Sequence, residues 1–491
     1  MTQSISRRKA WLALVVLLAG MFIALLDATI VNVALTSIRT SLHASESTLS
    51  WIVSGYALSF GIALIPAGRI GDQRGHKWVF IFGVALFTFA SVMCGFAAND
   101  AQIIIWRVVQ GLAGGIFVPA VGSFLQLLFT GRERGRAFAI LGSVIGFSSA
   151  IGLITGGLLI QAFGEADGWR WIFFVNLPIG IVTLIAAIFI LPGHEKHLAP
   201  HTGLDWLGVV LLGGGITAVL VPLIEGQQED WPLWTWLSLA GGIVLLVLFA
   251  LWEIFMDRRK KTPLVPPRLY KHASFVFGTI LALVYFAGFV SIFFTLSILW
   301  QAGLGHTPLD AGFVSLPFAL GTIIGSSQSS RLAGRIGRNV LLIGSAAMSI
   351  GLIVVWLIFT NIAGSELTIW MLVAPLALAG IGNGLFLAPN IQFIIASVDR
   401  QDAGSASGVV NTMQRVGTAI GVAVIGSILF GSLVFPSNRR PTPVDIADAF
   451  GHSASLAMGM SALLTVVSFF LVFSLPRKTA PLHGAPPVMA E

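Results

Sequence analysis

The sequence predicts an all-α membrane protein: fourteen transmembrane helices, arranged as two six-helix bundles with two further helices between them. Three observations predict it. Only 10% of the 491 residues are charged and 56% are hydrophobic, with a mean hydropathy of +0.90. A soluble chain of this length would split into several domains and carry far more surface charge. Apolar stretches of about 20 residues, enough to cross the hydrocarbon of a bilayer, recur along the whole chain, and the basic residues between them fall almost entirely on one side.

The spans lie near 11–35, 49–68, 78–98, 101–126, 136–163 and 170–192, then 204–224 and 231–256, then 273–300, 308–332, 338–359, 365–396, 404–432 and 452–476. The first follows Arg7, Arg8 and Lys9. Its apolar run of about 25 residues exceeds a signal-peptide core and shows no cleavage site, so it reads as a retained span. An even count puts both termini on one side. Only Arg39, Arg170, Arg439 and Arg440 fall in loops on the opposite side, and Arg107 and Arg415 fall within spans; the remaining 22 of the 28 Lys and Arg lie with the tails. That asymmetry predicts cytoplasmic termini. The basic surplus is explained by these loops, with no nucleic-acid partner.

The organisation is six, two and six: an N-terminal bundle over 1–200, two inserted spans over 201–262, and a C-terminal bundle with its tail over 263–491. GRIGDQRGHK, Gly68 to Lys77, stands in the loop after the second span. SRLAGRIGRN, Ser330 to Asn339, stands in the corresponding loop of the later six, with Gly337 opposite Gly75 and Gly334 opposite Asp72. A faint repeat between halves marks secondary transporters, with a binding site near the midplane between them.

Several other functions are excluded. The single cysteine, Cys94, allows no intrachain disulfide and argues against a Cys-based metal site. There is no G-x-x-x-x-G-K-[ST] phosphate loop, and the nine His include no H-E-x-x-H. Gly380, Gly382 and Gly384 have no strand before them and read as helix packing. No metal, cofactor or catalytic constellation is expected, and the energy for any pumping must come from a gradient. The pairs Gly142/Gly146, Gly152/Gly156, Gly404/Gly408 and Gly417/Gly421 have the G-x-x-x-G spacing that lets helix backbones approach closely.

Ionisable groups inside spans are expensive and few. Asp27 lies about 24 Å along the first span and Arg107 about 9 Å into the fourth from the other end, at 1.5 Å per residue. Both fall in the outer half and can meet. The pair is either a salt bridge locking the first and fourth spans, or a cavity group that binds protons or substrate. Arg415 lies near mid-depth with no acidic neighbour in sequence and reads equally as a cavity group or a structural one. Glu225 and Glu253 lie near span ends and read as solvated or interfacial.

These residues also carry a resemblance. LDATIVNVAL (Leu26 to Leu35), GRIGDQRGHK, WRVVQGLAGG (Trp106 to Gly115), GWRWIFFVNLPIG (Gly168 to Gly180) and ASGVVNTMQRVGTAIG (Ala406 to Gly421) resemble the fourteen-span drug:proton antiporter branch of the major facilitator superfamily, over essentially the whole chain. The resemblance implies the major facilitator fold and alternating access, with export of small amphipathic compounds against proton entry. It implies that Arg107, and with it Asp27, couples protons, and that Gly68, Asp72, Arg74 and Gly75 in the loop, with Gly152, Gly156 and Gly157 in the fifth span, form the conformational switch. Two departures stand out. GLITGG, Gly152 to Gly157, has Leu153 where the branch carries proline, and Thr36 stands where the first-span motif ends in proline.

The expected function is proton-coupled export of hydrophobic or cationic drugs and toxins from the cell by a multi-pass, monomeric protein of the cell membrane. The alternative is a dedicated exporter of one metabolite, peptide or organic anion. The expected cargo site comprises Asp27, Trp51, Tyr56, Tyr285, Phe293, Gln328, Asn390 and Arg415, and the partners are an amphipathic small molecule, protons and the lipid bilayer.

Overall fold

The computed structural model describes residues 7–129, 131–164, 166–193, 205–226, 229–259, 263–395, 403–436 and 439–475. They form α1 (Arg7–Leu42), α2 (Glu46–Arg74), α3 (His76–Gly95), α4 (Asp100–Leu128), α5 (Gly131–Phe163), α6 (Gly168–Phe174), α7 (Asn176–Ile190), α8 (Trp206–Glu225), α9 (Leu233–Arg258), α10 (Ala273–Ile298), α11 (Pro308–Ile336), α12 (Asn339–Asn361), α13 (Ile369–Ile395), α14 (Ala403–Gly431) and α15 (Pro443–Val472). Thirteen segments among the described residues are long and apolar enough to cross a membrane, α6 and α7 together forming one of them. The 33-residue α5, with its apolar stretch Ile151–Phe163, makes the fourteenth pass.

Two differences from the sequence reading have local causes. The sixth span is broken at Val175. Pro178 lacks the N–H that would bond the carbonyl four residues back, and its ring crowds that position, so the helix restarts at Asn176. The last span begins at Pro443, nine residues before the apolar run, because Thr442 and Asp445 form a reciprocal capping box that seeds a helix through polar sequence.

Helices α1–α7 pack among themselves, as do α10–α15, while α8 and α9 pair with each other and α8 lies against α2 and α14. Glu253 is buried rather than interfacial: its carboxylate accepts from the backbone N–H of Leu264 and of Val265, at 3.3 and 2.8 Å, tethering α9 to the start of the second bundle. Glu225, half-exposed at the end of α8, accepts from the Trp51 indole at 2.5 Å, joining α2 to α8.

The two bundles meet through α5 with α11, α2 with α14, and α1 with α10. Ser297 and Gln301 at the end of α10 donate to the carbonyls of Asn32 and Val33 in α1, at 2.5 and 2.9 Å. A Cβ on Gly157 would stand 2.5 Å from Leu309 Cα, and one on Gly312 would stand 2.7 Å from the Leu153 carbonyl oxygen. The α2–α14 seam is held by Ser54 donating to Ala419 O and Thr412 donating to Gly61 O, each at 3.1 Å. The α1–α10 and α5–α11 contacts lie at the end away from the tails, so the bundles are closed on each other there.

Candidate functional site

The fourth span is built to bring a charge to the first. Asn99 caps α4 by accepting from Gln102 N at 3.0 Å, and Arg107 and Gln110 then share one face, three residues apart. A Cβ at Gly111 would strike the Tyr56 carbonyl. Glycine there lets α2 lie close enough for Arg107 Nε to donate to Ile52 O at 3.0 Å.

Arg107 Nη1 donates to Asp27 Oδ2 at 2.5 Å and to Gln110 Oε1 at 2.8 Å. Gln110 Nε2 and Asn176 Nδ2 both donate to Asp27 Oδ1, at 2.9 and 3.1 Å. Asn176 also donates to Ser91 Oγ at 3.0 Å, and Ser91 donates to the Phe173 carbonyl at 2.9 Å, beside the break between α6 and α7. Cys94 Sγ lies 3.6 Å from Gln110 Oε1. Asp27 is 0% exposed and Arg107 1%. The fourth and sixth spans thus send three side-chain donors to one carboxylate of the first, and the group is closed off from solvent in this conformation.

An aromatic ladder leads away from the cluster. The Arg107 guanidinium lies 4.1 Å from the centre of the Tyr56 ring, whose hydroxyl donates to Ala24 O at 3.1 Å. The Tyr56 and Phe60 rings, one helical turn apart on α2, have centres 5.9 Å apart. Arg415 of α14 lies 4.1 Å over Phe60 from the other bundle.

The structure therefore brings together Asp27, Arg107 and Tyr56, with Arg415 two rings away. It does not bring the other expected residues to them. Trp51 is committed to Glu225. Tyr285 is fully buried in the second bundle, donating to Asn383 Oδ1 at 3.0 Å and stacked on Phe386 at 3.9 Å. Phe293 packs edge-on to Phe289 and Phe318. Asn390 is 1% exposed, and its amide has no partner among the described residues. Gln328 is exposed on the side of α11 that carries Leu320 and Ile324, because it follows them at helical spacing.

Gly152 and Gly156 lie against Thr29 and Ile30 of α1, while Gly157 meets α11. Gly75 takes φ +96° between α2 and α3, with Arg74 exposed beside it. Gly68 has only Pro119 near it, 3.9 Å from a Cβ placed there. The Asp72 side chain lies outside the described ones. Gly380 and Gly384 face α11, and Gly382 faces α12, as packing positions.

A bilayer-spanning pair of six-helix bundles, meeting through matching helices around buried ionisable groups, is the architecture of a secondary transporter. The sequence pattern of the Major Facilitator Superfamily matches residues 17–422, and the chain belongs to that superfamily: it is a transporter, not an enzyme. It is 34% identical over 426 residues to the probable actinorhodin transporter of Streptomyces coelicolor, covering 87% of this chain and 73% of that one. It is 31% identical over 435 residues to the tetracenomycin C resistance and export protein of Streptomyces glaucescens, covering 88% and 78%. The solved structure of a bacterial homologue of the human drug peptide transporters PepT1 and PepT2 shares the fold, with a TM-score of 0.65 at 13% identity over 96% of this chain and 99% of that one.

Proposed function

We propose that the protein exports amphipathic small molecules from the cell in exchange for protons, by alternating access between the bundles. The observation that carries this reading is the sealed Asp27 cluster. An ionised carboxylate accepts hydrogen bonds only, whereas a protonated one also donates. A proton on Oδ2 therefore removes the negative charge that holds Arg107 and weakens that oxygen as its acceptor. Gln110 Oε1 and Ile52 O already hold the same guanidinium, so Arg107 can leave the carboxylate without losing every partner. Its shift would move the face shared with Tyr56, and through Phe60 the contact with Arg415 across the seam. Protonation at one bundle thus biases the fit of the two, and a state that exposes Asp27 would let the proton on or off.

In this reading the mobile units are residues 1–200 and 263–491, with 201–262 as an attached pair of helices, and the protein is a monomer in the cell membrane with cytoplasmic termini. The loop residues Gly68, Asp72, Arg74 and Gly75 and the glycines Gly152, Gly156 and Gly157 serve the switch. The two Streptomyces relatives, one a probable transporter of actinorhodin and one a tetracenomycin C exporter, support a drug-like cargo. In the test, purified protein in proteoliposomes is given an imposed pH gradient and a panel of amphipathic dyes, with efflux and internal pH followed together. Dye movement indifferent to the gradient, with no accompanying proton flux, rules the proposal out. A reporter after Glu491 should read cytoplasmic and one near Pro443 external.

A further inference from the structure

Arg107 has a full set of hydrogen-bond partners, and Arg415 has none among the described residues. Near the middle of α14, Arg415 makes no hydrogen bond or ion pair with any described residue, and its guanidinium lies over the face of Phe60. It is partly exposed. Asp27 is saturated by Arg107, Gln110 and Asn176. Glu253 is spent on backbone N–H groups and Glu225 on Trp51. Among the described residues, none of these three acids is left to neutralise Arg415.

An unpaired guanidinium within a transmembrane helix is costly, and such residues face the interior or a water-filled path rather than lipid. Ser54 and Thr412 clamp α14 to α2 on either side of Arg415, so it sits in the seam between the bundles. Stacking on Phe60 fixes the plane of the guanidinium by cation–π attraction and leaves its edge free. That edge is a fork of N–H donors suited to a planar, two-oxygen acceptor such as a carboxylate. On α10, which packs against α14, Phe286 and Phe289 are partly buried and form an edge-to-face pair 5.6 Å apart.

We propose that Arg415 with Phe60 is an anion subsite, and that the cargo is an organic anion: a flat aromatic body bearing a carboxylate or phenolate. This deepens, and rests on, the reading of the chain as an exporter of amphipathic compounds. The sequence left cationic and anionic cargo open, and a cationic cargo would meet an uncompensated positive charge at this place in the seam.

The experiment uses two xanthene dyes of opposite charge, fluorescein and rhodamine 123, with purified full-length protein in neutral detergent free of anionic lipid. Fluorescence polarisation should show fluorescein bound at least tenfold more tightly than rhodamine 123. Arg415→Gln should weaken fluorescein at least tenfold while leaving rhodamine 123 unchanged or tighter. Arg415→Lys, which keeps the charge and loses the planar fork, should fall between. Equal affinity of the wild type for the two dyes, or fluorescein binding untouched by Arg415→Gln, overturns the proposal. If Arg415→Gln does not purify as a monodisperse protein, the wild-type comparison and Arg415→Lys decide it. Fluorescein that is bound through Arg415 but not moved by a pH gradient in proteoliposomes supports the subsite and sinks proton-driven export instead.

Discussion

Lys77 and Arg338 perform the same task in the two bundles. Lys77 Nζ, at the start of α3, donates to the carbonyls of Ile188 and Leu191 at 2.7 and 2.8 Å, at the C-terminal end of α7. Arg338 Nη1, just before α12, donates to Phe473 O and Leu475 O at 2.7 and 2.5 Å, beyond the end of α15. In each bundle a cation after the glycine turn at Gly75 or Gly337 closes the last span, satisfying carbonyls that a helix end leaves open and complementing its dipole. The repeat legible in the two loop sequences is thus a repeat of contacts, shifted by one residue.

Lys77→Ala and Arg338→Ala should each lower stability by about 1 kcal/mol, since both side chains are partly exposed and their bonds are charge-assisted. Thermal melting of the purified variants measures this. If neither variant melts earlier than wild type, the paired caps contribute nothing.

Asp27→Asn should abolish proton-driven export and also destabilise the protein, by about 3 kcal/mol, because removing one partner of a buried pair strands the other. Adding Arg107→Gln should recover most of that stability and none of the coupling. Arg107→Lys should keep the charge but impair coupling through loss of the planar fork. Melting, dye efflux and proton release on the wild type, Asp27→Asn, Arg107→Gln and the double variant form a cycle. Wild-type proton release in Asp27→Asn would make the carboxylate purely structural.

Asn176→Ala and Gln110→Ala each remove one donor to Asp27 Oδ1. Both should bind dye as wild type does while releasing fewer protons per dye bound, since they act on the carboxylate and not on the seam. Equal losses of dye affinity and proton release would instead mean that the bundle is disordered.

Gly157→Ala and Gly312→Ala place a methyl against the facing backbone of α11 and α5. Each should disfavour the closed contact at the end away from the tails. Spin labels at His43 and His306, in the loops on that side, should report longer distances in either variant. Unchanged distance distributions would show that the closed contact tolerates the methyl.

The recurrence of membrane-length spans and the pairing of Asp27 with Arg107 were legible in the sequence because each follows from one-dimensional depth. Residues that act through rotation around the helix were harder. Gln110 was legible in principle, one turn from Arg107 on the same face, but a glutamine in a helix is ordinarily unremarked. Asn176 was signalled by Pro178, whose missing N–H breaks the sixth span and turns the amide toward Asp27. Trp51 shows the converse: its indole is satisfied by Glu225 of a neighbouring helix, and depth alone does not separate such a partner from a cavity.

The solitary charge of Arg415 has an electrical consequence. A cargo that neutralises it carries one negative charge outward, and an entering proton carries one positive charge inward, so a one-for-one cycle moves two positive charges in the same direction. At an interior-negative potential of about 100 mV, each charge contributes roughly 2.3 kcal/mol. The voltage alone would then drive this transporter about twice as hard as an exchanger of neutral cargo, and would cancel altogether for a monovalent cation. Export of an organic anion should accordingly continue on the potential alone when the pH gradient is collapsed, whereas export of a neutral cargo should be driven only about half as hard by the same potential.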